Sequence, residues 1–166
     1  FSATSGTTHN LVSEIFTPTL LGDSLRIHHA YATYTTEVDQ LVIESSTNGG
    51  GSYSTLVTLN GGSVVGTGLV TAPAQTTAFI PSSEQWDSKS YILPTGTNRL
   101  RFKAISAYGN NLYLDRIYIL SSAPYVKNLN LKIFIEGLLN PVTNLMTPDT
   151  VKVFLREAIA PYVLVD

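Results

Sequence analysis

Side-chain polarity in this chain alternates with a period of two, and that period belongs to extended strands. Along "SLRIHHAYATY", Leu25, Ile27, His29 and Tyr31 fall on one side while Arg26, His28, Ala30 and Ala32 fall on the other. Successive Cβ atoms of a strand point to opposite faces, so this is a strand with one face buried. "QLVIESSTNGGGSYSTLVTL" reads as strand, Gly-rich turn and strand, which predicts a hairpin. "SKSYILP" and "NRLRFKAISAYG" flank Thr95, Gly96 and Thr97 and predict a second hairpin, and "NNLYLDRIYIL" follows the turn at Tyr108, Gly109 and Asn110. "SSEQW" fits a single helical turn, and no amphipathic pattern extends beyond about two turns. Turn signals spaced by roughly 8 to 12 residues, without an internal repeat, predict an all-β antiparallel sandwich.

The alternation continues to the end of the chain. In "KNLNLKIFIEG", Leu129, Leu131, Ile133 and Ile135 share one face, and Val151, Val153 and Leu155 form a second apolar row in "PDTVKVFLREAIAPYVLVD". Two such strands make at best a hairpin, which is marginal in water and exposes edges that invite pairing. These rows must be covered by their own sandwich, by a further module or by another copy of the chain.

Composition limits the classes. The chain has 166 residues, enough for one domain with a real core or one domain plus a fragment. Only 13% of the residues are charged, so Ser, Thr, Asn and Gly must build much of the surface. That suits an extracellular β protein, and equally a surface consumed by contacts with neighbours. The net charge is -2 and the basic residues form no run, which argues against a nucleic-acid partner. No stretch of roughly 18 apolar residues exists to make a membrane-spanning helix. Zero Cys removes disulfides, thiolate metal sites and a Cys nucleophile. A start at Phe1, with neither initiator Met nor a signal-peptide pattern, is expected of a mature or trimmed piece of a longer precursor.

"GDSLRIHHAYATY", "DQLVIESSTNGGGSYSTL" and "LPTGTNRLRFKAISAYGNNLYLDRIYI" together resemble the jelly-roll modules of large secreted bacterial proteins, the group akin to MAM domains and carbohydrate-binding modules. The resemblance covers roughly residues 9 to 122 and is strongest at Asn111 to Asp115. It implies a jelly-roll sandwich over residues 1–122, with 123–166 as a two-strand β extension, the first half of a second module. It also implies a further strand before Phe1 and further strands after Asp166. Many such jelly rolls carry a structural calcium ion, for which Asp115 would be the transferred ligand, with Asp23 or Glu14 as partners. The competing reading pairs Asp115 with Arg26 or Arg116.

Catalytic patterns are missing. There is no G-x-S-x-G elbow, and His28 and His29, being adjacent, cannot ligate one metal from a strand. His9 is the remaining imidazole and gives no zinc spacing. Glu37, Asp39 and Glu44 are the densest acidic group, and solvated charge at a strand start is the ordinary explanation for Glu37 and Asp39. Arg99, Arg101 and Lys103 share a strand face opposite Leu100, Phe102 and Ala104, as a stripe for an anionic glycan or, preferably, a solvated face cross-paired to carboxylates. Trp86 and Tyr91, with Tyr108 and Tyr113, are candidate sugar contacts, or else core packing.

The short, Pro-containing linker "SSAPYVKN" favours reaching outward over doubling back. The expected protein is therefore a non-catalytic, extracellular or cell-surface subunit that adds strands head to tail into a fibre or surface layer and needs no cofactor, a structural calcium ion being the one ion the resemblance allows. Its interface would be Leu129, Leu131, Ile133, Ile135, Val151, Val153 and Leu155. The alternative is a carbohydrate-binding or adhesive module of a secreted multidomain protein.

Overall fold

Each alternating segment up to Leu120 forms a strand in the computed structural model, which describes residues 3–122, 139–140, 142–143 and 145–146. The strands are β1 (Thr8–Val12), β2 (Ser24–Tyr31), β3 (Gln40–Ser46), β4 (Ser54–Asn60), β5 (Asp87–Ile92), β6 (Arg99–Ile105) and β7 (Leu112–Leu120), with one 3₁₀ turn at Ser83–Gln85. They form two antiparallel sheets, in the orders β1-β6-β3-β4 and β5-β2-β7, packed as a sandwich. The chain divides into two compact units, Phe1–Tyr125 and Val126–Asp166. In the second, β8 (Leu139–Asn140) pairs antiparallel with β9 (Leu145–Met146). The apolar rows at 129–135 and 151–155 lie outside the described residues.

Leu25, Ile27 and Tyr31 of β2 meet Leu41, Ile43, Leu100 and Phe102 from the facing sheet. The connection between β4 and β5 closes this core with Leu69 and Val70. A smaller cluster lies on the other face of β2, where Ala30 and Ala32 pack with Ala72 and Phe79 and are flanked by Trp86 and Tyr113. The sequence pattern puts Ala30 and Ala32 on the outer side of β2. Their small side chains let the 72–86 connection lie directly on the sheet there.

The predicted β3–β4 hairpin is present, with a bulge between Ile43 and Glu44. The predicted hairpin around Gly96 is not. β5 pairs with β2, whereas β6 pairs with β1 and β3 in the other sheet, so the Leu93–Asn98 connection is an arch that crosses the sandwich. Its backbone bonds go to the Thr19–Asp23 segment, from Gly96 N to Thr19 O (2.8 Å) and from Leu93 N to Asp23 O (2.8 Å). Alternation sets which face of a strand is buried, but it does not choose the lateral partner.

The second arch, from β6 to β7, is organised by a carboxylate. Asp39, just before β3, is only 8% exposed, which corrects its reading as solvated charge. Asp39 accepts hydrogen bonds from Tyr31 Oη (2.9 Å), Ala107 N (2.6 Å) and Gly109 N (3.0 Å). A Cβ at position 109 would overlap the Asp39 carboxylate, so glycine is required there. The next residue, Asn110, accepts from Phe79 N (2.7 Å) and donates to Thr77 O (2.8 Å), fixing the outer connection to the same arch. Asp39→Ala strands a buried hydroxyl and two backbone N–H groups, and each buried unsatisfied group costs about 1 to 3 kcal/mol. Urea unfolding is expected to show a loss of about 3 kcal/mol or more, and a loss near zero would remove Asp39 from this role.

Candidate functional site

The two sheets are unequal, four strands against three, and the deficit exposes a groove. Among the described residues β7 pairs on one side only, with β2, and no strand lies beside it to face β1. Two adjoining hollows of about 230 and 260 Å³ occupy that space. One end is apolar, lined by Leu11, Leu41, Phe102, Leu112 and Leu114. The other carries Asp39, Gln40, Ser106, Asn110 and Asn111 among Ala3, Ile105 and Leu112, whose apolar surface still predominates. His9 and Ala104 line both ends.

β1 explains why the groove is open. All of its residues are exposed, and Leu11, which stands opposite Phe102 in the ladder, is 55% exposed. An apolar side chain on the core-facing side of a strand is ordinarily covered, so this is a sandwich with part of its interior uncovered. The distal half of β7 adds Ile117, Tyr118, Ile119 and Leu120, all exposed. Sequence alternation marks Leu112 and Leu114 as inward, but nothing in the pattern shows that the strand beyond them is missing from the sheet.

A second feature lies on the outer face of the three-stranded sheet. His28, Ser83, Trp86, Asp115 and Arg116 line a polar cleft of about 380 Å³. Trp86 is held edge-on by Tyr113 (centroids 6.3 Å apart), which in turn meets Phe79 (6.1 Å) and donates its hydroxyl to Phe79 O (2.9 Å). The β2–β7 register shifts between Arg26 and His28, and Arg116 at this bulge has a φ of 47°. The bulge aims the Arg116 side chain beside Asp115. Arg116 Nε lies 3.9 Å from the Asp115 carboxylate, both well exposed, which matches one of the two pairings expected for Asp115.

Other candidates separate. Tyr91 packs half-buried against the main core on the inward face of β5, in keeping with its core-packing alternative, and does not share a face with Trp86. Tyr108 is exposed at the β6–β7 arch with a φ of 68°. Asp23 accepts from Leu20 N (2.8 Å) and Ser122 N (2.8 Å), bonds that hold its carboxyl below the usual carboxylate range. Asp23 precedes β2, whereas Asp115 stands opposite His28, roughly 16 Å along the strand at about 3.3 Å per residue. Glu14 lies beside β6 in the other sheet. An ion at Asp115 would therefore be held without either of them, and among the described residues no three His, Asp or Glu side chains converge on one point.

The basic stripe is largely engaged. Arg101 pairs with Glu44 (2.5 Å) and stacks over the Tyr53 ring (4.1 Å), and Arg99 donates to Ser13 O and Gly49 O, both at 3.0 Å. Glu37 caps its own turn through Thr35 and Thr36, which lowers its pKa. Each member of the acidic trio thus has a separate structural task. No helix among the described residues is long and apolar enough to cross a membrane.

His28 and His29 face opposite sides, as adjacent strand residues must. His29 is fully buried, and among the described residues neither ring nitrogen has a hydrogen-bond partner. Its position opposite Asp87 places it beside the Asp87–Lys89 ion pair (2.9 Å). Burial is the main cause holding its pKa below the usual imidazole value, and Lys89 adds to it while Asp87 opposes it. Comparison of the chain with family models, with curated proteins and with solved structures finds no match.

Buried neutral His29 has a direct consequence for acid stability. A depressed folded pKa contributes stability that is complete above the unfolded value of 6.5 and is lost as pH falls below it. At pH 5.5 the loss reaches up to about 1.4 kcal/mol relative to pH 7.5. Asp23, Glu37 and Asp87 also have lowered values, but their contributions fade only below the ordinary 3.8 to 4.5, so pH 5.5 isolates the imidazole. His29→Leu is expected to flatten the stability profile between pH 7.5 and 5.5 in chemical denaturation. An unchanged slope in that variant would assign the acid sensitivity elsewhere.

Proposed function

We propose that this chain is a non-catalytic structural subunit, extracellular or at the cell surface, that polymerises by β-strand complementation. The observation that carries the reading is the groove between β1 and β7, apolar along Leu11, Phe102 and Leu114 and bordered by a strand paired on one side only among the described residues. One added strand beside β7 gives two sheets of four, in the orders β1-β6-β3-β4 and added strand-β7-β2-β5. Two four-stranded sheets make the eight-strand jelly roll that the resemblance to secreted bacterial modules implies.

The occupant is the segment around Leu129, Leu131, Ile133 and Ile135 of a second copy, whose single apolar row suits a groove with one apolar wall. Main-chain pairing supplies affinity in such strand addition, and alternate side chains supply fit. Four aliphatic side chains contribute roughly 6 to 12 kcal/mol on burial. Association costs an estimated 4 to 15 kcal/mol, so the backbone ladder along β7 is needed to hold the joint. Because groove and inserted strand are different surfaces, the contact is heterologous and propagates into a fibre or layer.

The purified chain is expected to form oligomers at micromolar concentration, resolved by sedimentation velocity and electron microscopy. Leu11→Glu charges the groove at an exposed position and blocks acceptance, while Ile133→Asp blocks donation. Each variant alone remains a folded monomer, and a mixture of the two forms a dimer with a single joint. Wild type sedimenting as a monomer, or a mixture that never dimerises, sinks the proposal.

A carbohydrate-binding or adhesive module is the second reading, favoured by the outer cleft. Trp86 offers an apolar ring face beside Asp115, Arg116, His28 and Ser83, which together donate and accept hydrogen bonds as sugar hydroxyls require. Trp86 is the single tryptophan, so its fluorescence reports the cleft directly. Titration with neutral and acidic oligosaccharides is expected to shift the emission, and Trp86→Ala is expected to abolish binding measured by calorimetry. Calorimetric binding that survives Trp86→Ala moves the sugar site elsewhere, and silence across the series removes the reading.

A further inference from the structure

We infer that His9 makes occupation of the groove pH-dependent, admitting a strand when its imidazole is neutral and resisting it when the imidazole is charged. The inference rests on the strand-complementation reading and adds regulation to the same site.

His9 lies opposite Ala104 in the β1–β6 ladder, and Ala104 lies opposite Leu41 in the β6–β3 ladder. Leu41 is a core residue, so this row points inward, and His9 lines both hollows of the groove. With the groove open, His9 is exposed to water. A strand seated beside β7 covers that face of β1 and removes the ring from solvent. Transfer of a charged imidazolium into such a setting is costly unless an opposite charge receives it.

The surroundings offer little compensation. Ala104 of β6 and Leu112 and Leu114 of β7 line the same hollow as the ring. Gln40 and the Ser106–Asn111 arch contribute neutral polar groups to the shared end of the groove. Among the described residues, the single titratable carboxylate lining the groove with it is Asp39. Two strand spacings and two residues of offset separate the backbones of His9 and Asp39, roughly 12 Å at about 4.8 Å per strand and 3.3 Å per residue. The Asp39 oxygens are already held by Tyr31, Ala107 and Gly109. On the incoming segment, alternation puts Lys132 and Glu136 off the apolar row, while Lys127 shares the row's parity and brings a cation, not a carboxylate, to that face. Imidazoles in general change charge between about pH 7.5 and 5.5, and these two values bracket the test.

The test uses the single-joint dimer. Full-length Ile133→Asp supplies the groove and full-length Leu11→Glu supplies the strand, and their dissociation constant is measured at pH 7.5 and 5.5 by sedimentation, with near-ultraviolet circular dichroism confirming the fold of each partner. Exclusion of the charged ring weakens the joint about tenfold at the lower pH. Adding His9→Asn to the groove partner is expected to bring the ratio of the two constants close to one, whatever their absolute size. The inference is overturned if the joint is equally tight at both values, or if the tenfold ratio persists with His9→Asn, in which case another group such as His29 carries the acid response. A mixture with no joint even at pH 7.5 overturns the strand-complementation reading itself, and this inference with it.

Discussion

A buried carboxylate without a cationic partner among the described residues holds the first unit together at its least regular point. Asp39 uses three hydrogen bonds, from one phenol and two backbone amides, to tie the start of β3 to β2 and to the arch that leads into β7. An isolated charge away from water is expensive unless converging donors replace its hydration. The Asp39 carboxylate and the Tyr31 hydroxyl are mutually dependent, and burial and the neighbouring charge both raise the Tyr31 pKa, so the phenol remains a proton donor. The arch must then lie where these donors converge, and Gly109 is there because a side chain would occupy the space of the carboxylate.

From that arch the asymmetry of the sandwich follows. β7 is delivered to the side of β2 that leaves β1 without a facing strand, and β1 consequently exposes Leu11 on the side where a core would otherwise form. Long unpaired edges next to apolar surface are a liability that natural sheets usually blunt with charge, proline or a bulge. Here the bulge at Arg116 falls partway along β7, while Leu112 and Leu114, before it, remain against the groove. Among the described residues the edge is thus open at its apolar part, which is what the proposed strand addition requires.

Charge is used sparingly and mostly in place. Glu44 and Arg101 neutralise each other across two strands under the Tyr53 ring, and Arg99 fixes the Gly-rich β3–β4 turn through carbonyl contacts. A stripe that looks like an anion-binding surface by spacing is thus largely a set of braces for the four-stranded sheet. The outer cleft differs, because Asp115 and Arg116 meet at a loose 3.9 Å and leave most of their hydrogen-bonding capacity to solvent or ligand.

The sequence by itself determined the all-β class, the positions of β2 to β7 and the buried faces of β2 and β6, because alternation at Leu25, Ile27, Tyr31 or Leu100, Phe102 is a local property of an extended backbone, whereas β1 was not read from it. It also determined the opposite orientations of His28 and His29 and the β3–β4 hairpin, whose Gly-rich turn is contiguous. Tertiary structure alone decided lateral pairing. β5 and β6 are separated by a short turn-like segment yet lie in different sheets, since hydrogen-bond partners are chosen by packing over the whole core. It decided as well that Asp39 is buried, that Ala30 and Ala32 are roofed, and that Trp86 gathers with His28 and Asp115 while Tyr91 turns inward. The groove belongs to this second class, because it is the space beside a strand, and the period of a single strand carries no record of which neighbour it has.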